Sequence, residues 1–263
     1  KMVPAVQFSS NMLNYVMILG ILGVGFIGAT LVRKLSAAGH EVLVANSRGP
    51  DTIRELADEA GATAVTAAEA VKNVDVIILS VPFGRMQPLK DLLADVPKTI
   101  PVIDTSNYYP LRDGNVAAID EGQIESEWVQ ELIGRPVTKA WNAVLAGTLR
   151  KNGKPAGDPQ RTAIPVAGDD PKAKQIAMEL VEATGFDAVD AGSIADSWRI
   201  QPGNPTYCNE LNADELRHAL TIADRSLAPR RRDAGMQVML TFGEHFTNDE
   251  LLRVNRAVTR IAK

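Results

Sequence analysis

The stretch MILGILGVGFIG, residues 17–28, decides the fold. Its continuous apolar start predicts a buried strand from Ile18 to Leu22, and residues 27–38 have the apolar spacing of a helix that Gly39 can end. Between strand and helix lies a G-x-G-x-x-G motif. This order of strand, turn and helix predicts a dinucleotide site, because the free N–H groups at the helix start face the pyrophosphate.

The three glycines of this turn have different predicted roles. Gly23 permits the tight turn, Gly25 lets the backbone approach the pyrophosphate, and Gly28 lets the helix lie close to the strand. A purely structural turn is the alternative. The predicted cofactor-binding residues of the turn are Gly23, Val24, Gly25, Phe26, Ile27 and Gly28.

Downstream, short β-branched runs alternate with amphipathic helical stretches, which predicts an α/β fold: a Rossmann, doubly wound, mostly parallel sheet with a smaller α+β C-terminal part. We expect three parts: a leader over residues 1–16, a nucleotide-binding Rossmann domain over 17–142, and a substrate or dimerisation part over 143–263. The further predicted strands cover residues 41–45, 63–65, 74–79, 101–104, 137–141, 162–167 and 187–189.

The character of the chain changes after Arg199. Residues 201–206 form a loop by composition, because two prolines and a glycine leave few donors for a sheet. Arg199, Gln201 and Tyr207 either close over a substrate or belong to a simple connection. Two helices are predicted beyond this loop, starting near Asn212 and near Asn248.

Composition excludes several classes of protein. The chain has 263 residues, a formal charge of −4 and one cysteine. It therefore needs no disulfide to fold, and its scarce thiols suit a reducing cytoplasm. The acidic balance argues against nucleic acid or an anionic membrane as a partner. The basic run at residues 230–232 is predicted to be a solvated face near a helix end.

An apolar run of about 18 residues, 15–32, is near the lower limit for a membrane span. A signal anchor is one interpretation of this run. Its four glycines are spaced for a turn, however, and a buried strand followed by a packed helix has the same hydropathy. We therefore expect no membrane partner.

The end of the second strand indicates which dinucleotide is bound. An NAD site usually carries an acidic residue there, whereas this chain has Asn46, Ser47 and Arg48. A hydroxyl and a guanidinium suit the 2′-phosphate of NADP, because the guanidinium fork matches phosphate oxygens. The sequence therefore predicts NADP as the cofactor, with a solvent-exposed loop arginine as the alternative.

Ligands of open α/β sheets lie beyond the carboxyl ends of the strands. In this chain small polar residues alternate with apolar ones at three such ends, which suits a pocket for a flat ring. Ordinary turns are the alternative. The residues predicted to line the nicotinamide end are Ser80, Val81, Pro82, Ser106, Asn142, Ala143 and Val144.

Sequence motifs that are typical of several other enzyme classes are absent from the chain. The chain has no Tyr-x-x-x-Lys pair, no Gly-x-Ser-x-Gly elbow and no His-Glu-x-x-His, and we assign neither a catalytic residue nor a metal ligand. Structural roles are predicted for His40, His218 and His245. Hydride exchange between two ring cofactors needs little acid–base help, because stacking the two reacting carbons supplies most of the catalysis.

Six motifs in order resemble the coenzyme F420-dependent NADP oxidoreductases: GVGFIG, NSR, SVP, KAWN, VAGDDP and VDAGS, within residues 17–199. The same module is similar to the NADPH-binding domain of membrane ferric reductases. The resemblance implies that Ser47 and Arg48 bind the 2′-phosphate and that residues 142–146 lie beside the deazaflavin. Asn142-Ala143-Val144 departs from the family's Thr-Ile run, and the tail after Arg199 is longer than the family needs.

The leading hypothesis is hydride transfer between NADP(H) and a deazaflavin, coenzyme F420, or a flavin as the second substrate. One alternative is an NADPH-dependent reductase of a small keto or imine substrate, and another is a sensor that binds NADP without turnover. A small-molecule redox substrate is thus the expected partner. The resemblance also implies a homodimer, formed by the part that follows the Rossmann domain.

Overall fold

The computed structural model describes residues 15–243 and 246–261. The predicted leader, up to residue 14, lies outside the described residues, and so does His245. In the part that is described, no helix is both long and apolar enough to cross a membrane.

Six strands form one parallel sheet in the order β3-β2-β1-β4-β5-β6. This is the strand order of the Rossmann fold, so the predicted fold class is confirmed. The six strands are β1 (Ile18–Leu22), β2 (Glu41–Ala45), β3 (Thr63–Ala64), β4 (Val76–Leu79), β5 (Val102–Asp104) and β6 (Thr138–Lys139).

A second, two-stranded parallel sheet consists of β7 (Ala163–Val166) and β8 (Asp187–Asp190). It joins the large sheet through an antiparallel bridge, in which Lys139 and Ala167 exchange both backbone hydrogen bonds, at N···O distances of 2.7 and 3.0 Å. Two predicted strands, 162–167 and 187–189, therefore correspond to this second sheet.

Helices cover both faces of the large sheet. The helices are α1 (Phe26–Ala37), α2 (Arg54–Ala60), α3 (Ala67–Ala70), α4 (Leu89–Leu92), α5 (Pro110–Asp113), α6 (Ala117–Asp120), α7 (Glu125–Ile133), α8 (Ala146–Lys151), α9 (Pro171–Ala183), α10 (Ala213–Thr221), α11 (Ala228–Leu240) and α12 (Asn248–Thr259). Short 3-10 helices cover Pro50–Ile53, Phe83–Arg85 and Ile194–Ile200.

The central strand β4 divides the core into two apolar clusters. Val76 and Ile78 belong to the cluster with α1 and α9, whereas Ile77 and Leu79 belong to the cluster with α7. This alternation follows from the strand geometry, in which successive side chains point to opposite faces. All four side chains are buried, which explains why the sequence of this strand is apolar throughout.

The C-terminal region contains both predicted helices and one that was not predicted. Asn212 caps α10 by accepting from two backbone N–H groups, as predicted, and α12 begins at Asn248, with Thr247 as its cap. Between them lies α11, which the sequence analysis missed. Few of its side chains are buried, so it lacks the apolar stripe that makes a helix recognisable.

The basic run at residues 230–232 is only partly solvated, which corrects the prediction for Arg232. Its side chain is 9% exposed, and its guanidinium lies 5.2 Å from the ring centroid of Tyr108. The run does lie at a helix end, in the first turn of α11. Arg232 therefore packs between this helix and the Rossmann domain.

A buried ion pair joins the last residues of the two strands β5 and β6. Lys139 Nζ lies 2.6 Å from Asp104 Oδ2, and both side chains are fully buried. Asp104 also accepts a hydrogen bond from the backbone N–H of Ser106 at 3.0 Å. Since each charge in this position depends on the other, removal of one partner leaves an uncompensated buried charge.

We predict that Lys139→Met lowers the free energy of unfolding by about 3–5 kcal/mol, measured by urea denaturation. The double variant Asp104→Asn/Lys139→Met removes both charges and recovers most of that loss. As a control, Arg217→Met breaks an exposed pair with Asp214 and changes stability by at most about 0.5 kcal/mol. A loss below about 1 kcal/mol for Lys139→Met contradicts the prediction.

Candidate functional site

The glycine turn between β1 and α1 is held by two very close backbone approaches. Gly23 has a φ of +103°, and a Cβ there would lie 2.1 Å from the backbone oxygen of Ser80. At Gly28 a Cβ would lie 2.1 Å from the backbone oxygen of Gly23. Gly23 is therefore required for the turn to pack against the end of β4, and Gly28 for α1 to pack against the turn.

Gly25 differs from the other two glycines, because a Cβ built on it meets no atom within 4 Å. It is the N-cap of α1, with no side chain that caps the helix. Val24 and Ile27 turn towards the core, while Phe26 is 86% exposed. The start of the helix thus presents backbone N–H groups at an open surface, which is the arrangement that holds a pyrophosphate.

The loop after β2 is organised by Asn46. Its Oδ1 accepts from the backbone N–H of Arg48 at 2.9 Å, and its Nδ2 donates to Thr52 Oγ1 at 2.8 Å. Ser47 and Arg48 are exposed, and their side chains make no hydrogen bond or ion pair with the described residues. The loop therefore leaves a hydroxyl and a guanidinium available to an anionic ligand.

The end of β4 lies next to the glycine turn, and the end of β5 lies next to that of β4. The backbone N–H of Ser80 donates to Leu22 O at 2.8 Å, and Ser80 Oγ lies 3.0 Å from where a Cβ of Gly28 would be. Val81 is half-buried and Pro82 is exposed. Ser106 is 6% exposed, and its Oγ has no hydrogen-bond partner among the described residues.

Three other predicted residues, Asn142, Ala143 and Val144, are covered by the chain itself. They are 2%, 6% and 6% exposed. Asn142 Nδ2 donates to the backbone oxygen of Ile200 at 2.8 Å, and Ala143 O accepts from the backbone N–H of Cys208 at 3.1 Å. The structure thus places Asn142 and Ala143 beneath residues 200–208, whereas Val144 belongs to the apolar cluster against which Val24 and Ile27 pack.

A second acidic group is buried near the ion pair of Asp104 and Lys139. Glu125, 2% exposed, accepts from the backbone N–H of Tyr108 at 3.0 Å. Burial raises the pKa of its carboxyl to about 7, while Lys139 and the hydrogen bond from Tyr108 oppose that rise. The interior behind β5 and β6 therefore carries one compensated pair and one carboxyl that titrates near neutral pH.

Two tyrosines meet at the edge formed by the carboxyl ends of β5 and β6. The hydroxyl groups of Tyr109 and Tyr207 are 2.9 Å apart, and Asn107 Nδ2 lies 3.3 Å from Tyr207 Oη. Sequence reasoning considered Tyr207 but missed this pairing, because 98 positions separate the two residues. The only local signal was an Asn-Tyr-Tyr run directly after Ser106.

The histidines in the described part of the chain lie away from this edge. His40 Nδ1 accepts from the backbone N–H of Met17 at 3.3 Å, and burial lowers the pKa of the imidazole. His218 is exposed on α10. Among the described His, Cys, Asp and Glu side chains, no group is arranged to hold a metal ion.

The comparison with known protein families matches the part of the chain that carries the glycine turn. The family described as NADP oxidoreductase, coenzyme F420-dependent, matches residues 18–108, which include the glycine turn, the Asn46 loop and the ends of β4 and β5. The protein YjhV of Escherichia coli (strain K12) is 38% identical over 107 residues, which are 41% of this chain and 78% of that protein.

Two solved structures extend the similarity along the chain. The hypothetical protein SMa0349 from Sinorhizobium meliloti has a TM-score of 0.63 and 30% identity, over 75% of this chain and 96% of that one. A structure from Arthrobacter sp. FB24, named as a putative F420-dependent NADP reductase, has a TM-score of 0.55 and 20% identity, over 69% of this chain and 87% of that one, and it supports the fold alone. The chain belongs to the coenzyme F420-dependent family of NADP oxidoreductases.

Proposed function

We propose that this protein transfers hydride between NADP(H) and a deazaflavin, coenzyme F420, or a flavin. The proposal that NADP(H) is the cofactor rests on one observation: the start of α1 is open and lies beside two exposed residues, Ser47 and Arg48. The backbone N–H groups after Gly25 bind the pyrophosphate, while the hydroxyl and the guanidinium bind the 2′-phosphate. Family membership supports the deazaflavin.

The nicotinamide end of the cofactor lies, in this proposal, beyond β4 and β5. Ser80, Val81 and Pro82 form one side of the pocket, and the unpartnered hydroxyl of Ser106 faces the other. When bound, NADPH supplies a hydride to the acceptor and leaves as NADP⁺, while the acceptor takes up one proton from solvent. The chain's own contribution is to orient the two reacting carbons and exclude water.

A second candidate acceptor is a small keto or imine compound. The observation in its favour is that Asn142 and Ala143, expected beside the deazaflavin, are almost completely buried under residues 200–208. A compact acceptor needs less of this space than a tricyclic ring does. Binding of NADP without turnover, as in a sensor, is the third function that the experiments below distinguish.

Three broader expectations are also part of the proposal. The chain divides into a Rossmann domain over residues 17–142 and a substrate or dimerisation part over 143–263. It acts as a cytoplasmic homodimer, in which the C-terminal part joins the two copies. Neither nucleic acid nor a membrane is its partner, since the formal charge is −4.

We predict that Arg48→Ala weakens NADPH binding by about 10- to 100-fold and changes NADH binding by less than about twofold, because only NADPH carries the 2′-phosphate. Fluorescence titration with both cofactors measures the effect. Arg33→Ala is the matched control, since Arg33 pairs with Glu59 on the surface of α1. Equal losses for the two cofactors would contradict the assignment of Arg48.

Gly25→Ala provides a separate test of the pyrophosphate site. The φ of Gly25 is −65° and a Cβ meets nothing, so the fold keeps its stability. The added methyl group nevertheless occupies the space that the pyrophosphate needs, and NADPH affinity falls at least about tenfold. Gly235→Ala in α11 is the control, and it leaves the affinity unchanged. Undiminished NADPH binding by Gly25→Ala would show that the pyrophosphate lies elsewhere.

The acceptor is identified by adding candidates to the NADPH-loaded protein and following NADPH oxidation. We expect F420, FMN or FAD to be reduced at a saturable rate. Reduction of only small ketones or cyclic imines supports the second candidate. Tight NADPH binding with no oxidation by any of these compounds supports the sensor and contradicts the proposed hydride transfer.

A further inference from the structure

The segment Gln201–Asn209 is buried although its composition is that of a surface loop. Asn204, Thr206 and Asn209 are 0%, 3% and 1% exposed. Loops of this kind normally run over the surface, where water satisfies their backbone groups. A buried segment rich in proline, glycine and asparagine indicates that its position has a purpose beyond connecting two helices.

The segment is held in place from both sides. On the side of the large sheet, Asn142 donates to Ile200 O and Cys208 donates to Ala143 O. On the other side, Asn209 Nδ2 donates to Thr259 Oγ1 of α12 at 3.1 Å. Gly203 has a φ of +87°, and a Cβ there would lie 2.0 Å from the backbone oxygen of Ala228 in α11. The last two helices therefore hold the segment against the carboxyl end of β6.

Through Tyr207 the segment contacts Asn107, which lies next to the predicted nicotinamide pocket. The hydroxyl of Tyr207 contacts Asn107, which directly follows Ser106, and it bonds to the hydroxyl of Tyr109. Asn107 is itself fixed, because its Nδ2 also donates to Asn142 O at 2.8 Å. The hydroxyl pair thus lies close to the end of β5, on the edge of the sheet where ligands of open α/β sheets bind.

Both hydroxyl groups are neutral, and because Tyr109 donates to Tyr207, the O–H of Tyr207 is the one that the pair can offer to an acceptor. Burial raises the pKa of Tyr109 and that of Tyr207 well above the usual range of a phenol. The thiol of Cys208, which bonds to Tyr207, is also kept protonated by burial, which raises its pKa. The pair therefore suits an uncharged oxygen or nitrogen acceptor better than a cation.

We propose that the hydroxyl pair of Tyr109 and Tyr207 binds the carbonyl oxygen or imine nitrogen of the hydride acceptor, so that the C-terminal segment forms one side of the acceptor site. This inference rests on the proposed hydride transfer. The shared chemistry is a hydrogen-bond-accepting atom conjugated to the carbon that receives hydride. A deazaflavin or flavin ring has such an atom, and so does a small ketone or imine.

The test compares Tyr207→Phe and Tyr109→Phe with the wild type at saturating NADPH. One set of assays uses F420 and FMN, and the other uses small ketones and cyclic imines. Each substitution keeps the ring and removes one hydroxyl, so we expect kcat/KM for the acceptor to fall about tenfold. The Kd for NADPH and the thermal midpoint stay near the wild-type values. The double variant loses little more than either single one, because the pair acts as a unit.

Tyr108→Phe is the matched control, since Tyr108 bonds to Asp120 and Val116, away from the pair. It leaves acceptor kcat/KM within about twofold. The inference is overturned if Tyr207→Phe behaves like this control, or if it lowers NADPH affinity and stability together. If the wild type fails to oxidise NADPH with every one of these acceptors, the proposed function is overturned as well. If the wild type is active and the tyrosine variants are unaffected, only the inference is overturned.

Discussion

The contact between the glycine turn and the end of β4 is the constraint on which the rest of the structure depends. Because Gly23 lacks a side chain, the backbone of the turn lies directly against that of Ser80, and because Gly28 lacks one, α1 lies directly against the turn. This approach sets the distance between α1 and the sheet, and it leaves the helix N-terminus open at the same edge where β4 and β5 end. One steric requirement therefore determines both the packing of the Rossmann domain and the geometry of its cofactor surface.

Sequence reasoning succeeded where the determining contacts are local. The bounds of β1 and β2 matched the apolar runs, and the motif placed the turn, because a strand, a glycine turn and a helix leave their periodicity in consecutive residues. The start of α10 was also visible, since its cap Asn212 bonds to N–H groups two and three positions away.

The parts that escaped prediction depend on distant residues. Helix α11 buries little of its surface and carries no apolar stripe, so nothing in its sequence separates it from a solvated stretch. Asn142 and Ala143 are covered through hydrogen bonds to residues about 60 positions later, which no local pattern encodes. A separation of 98 positions hid the contact between Tyr109 and Tyr207, although each residue follows a segment that the sequence did identify.

The two parts of the candidate site, one for the cofactor and one for the acceptor, therefore depend on different kinds of contact. The cofactor half is made from backbone N–H groups and a short exposed loop, so it depends on glycine positions and changes little with the surrounding side chains. In our proposal, the acceptor half is made from side chains that the C-terminal segment brings to the sheet. On that proposal, substitutions within residues 200–209, or in the helices that hold them, change the acceptor without disturbing the nucleotide surface. A family named for one acceptor can in this way contain chains that use another. In this chain the residues after Arg199 are those that would determine such a difference.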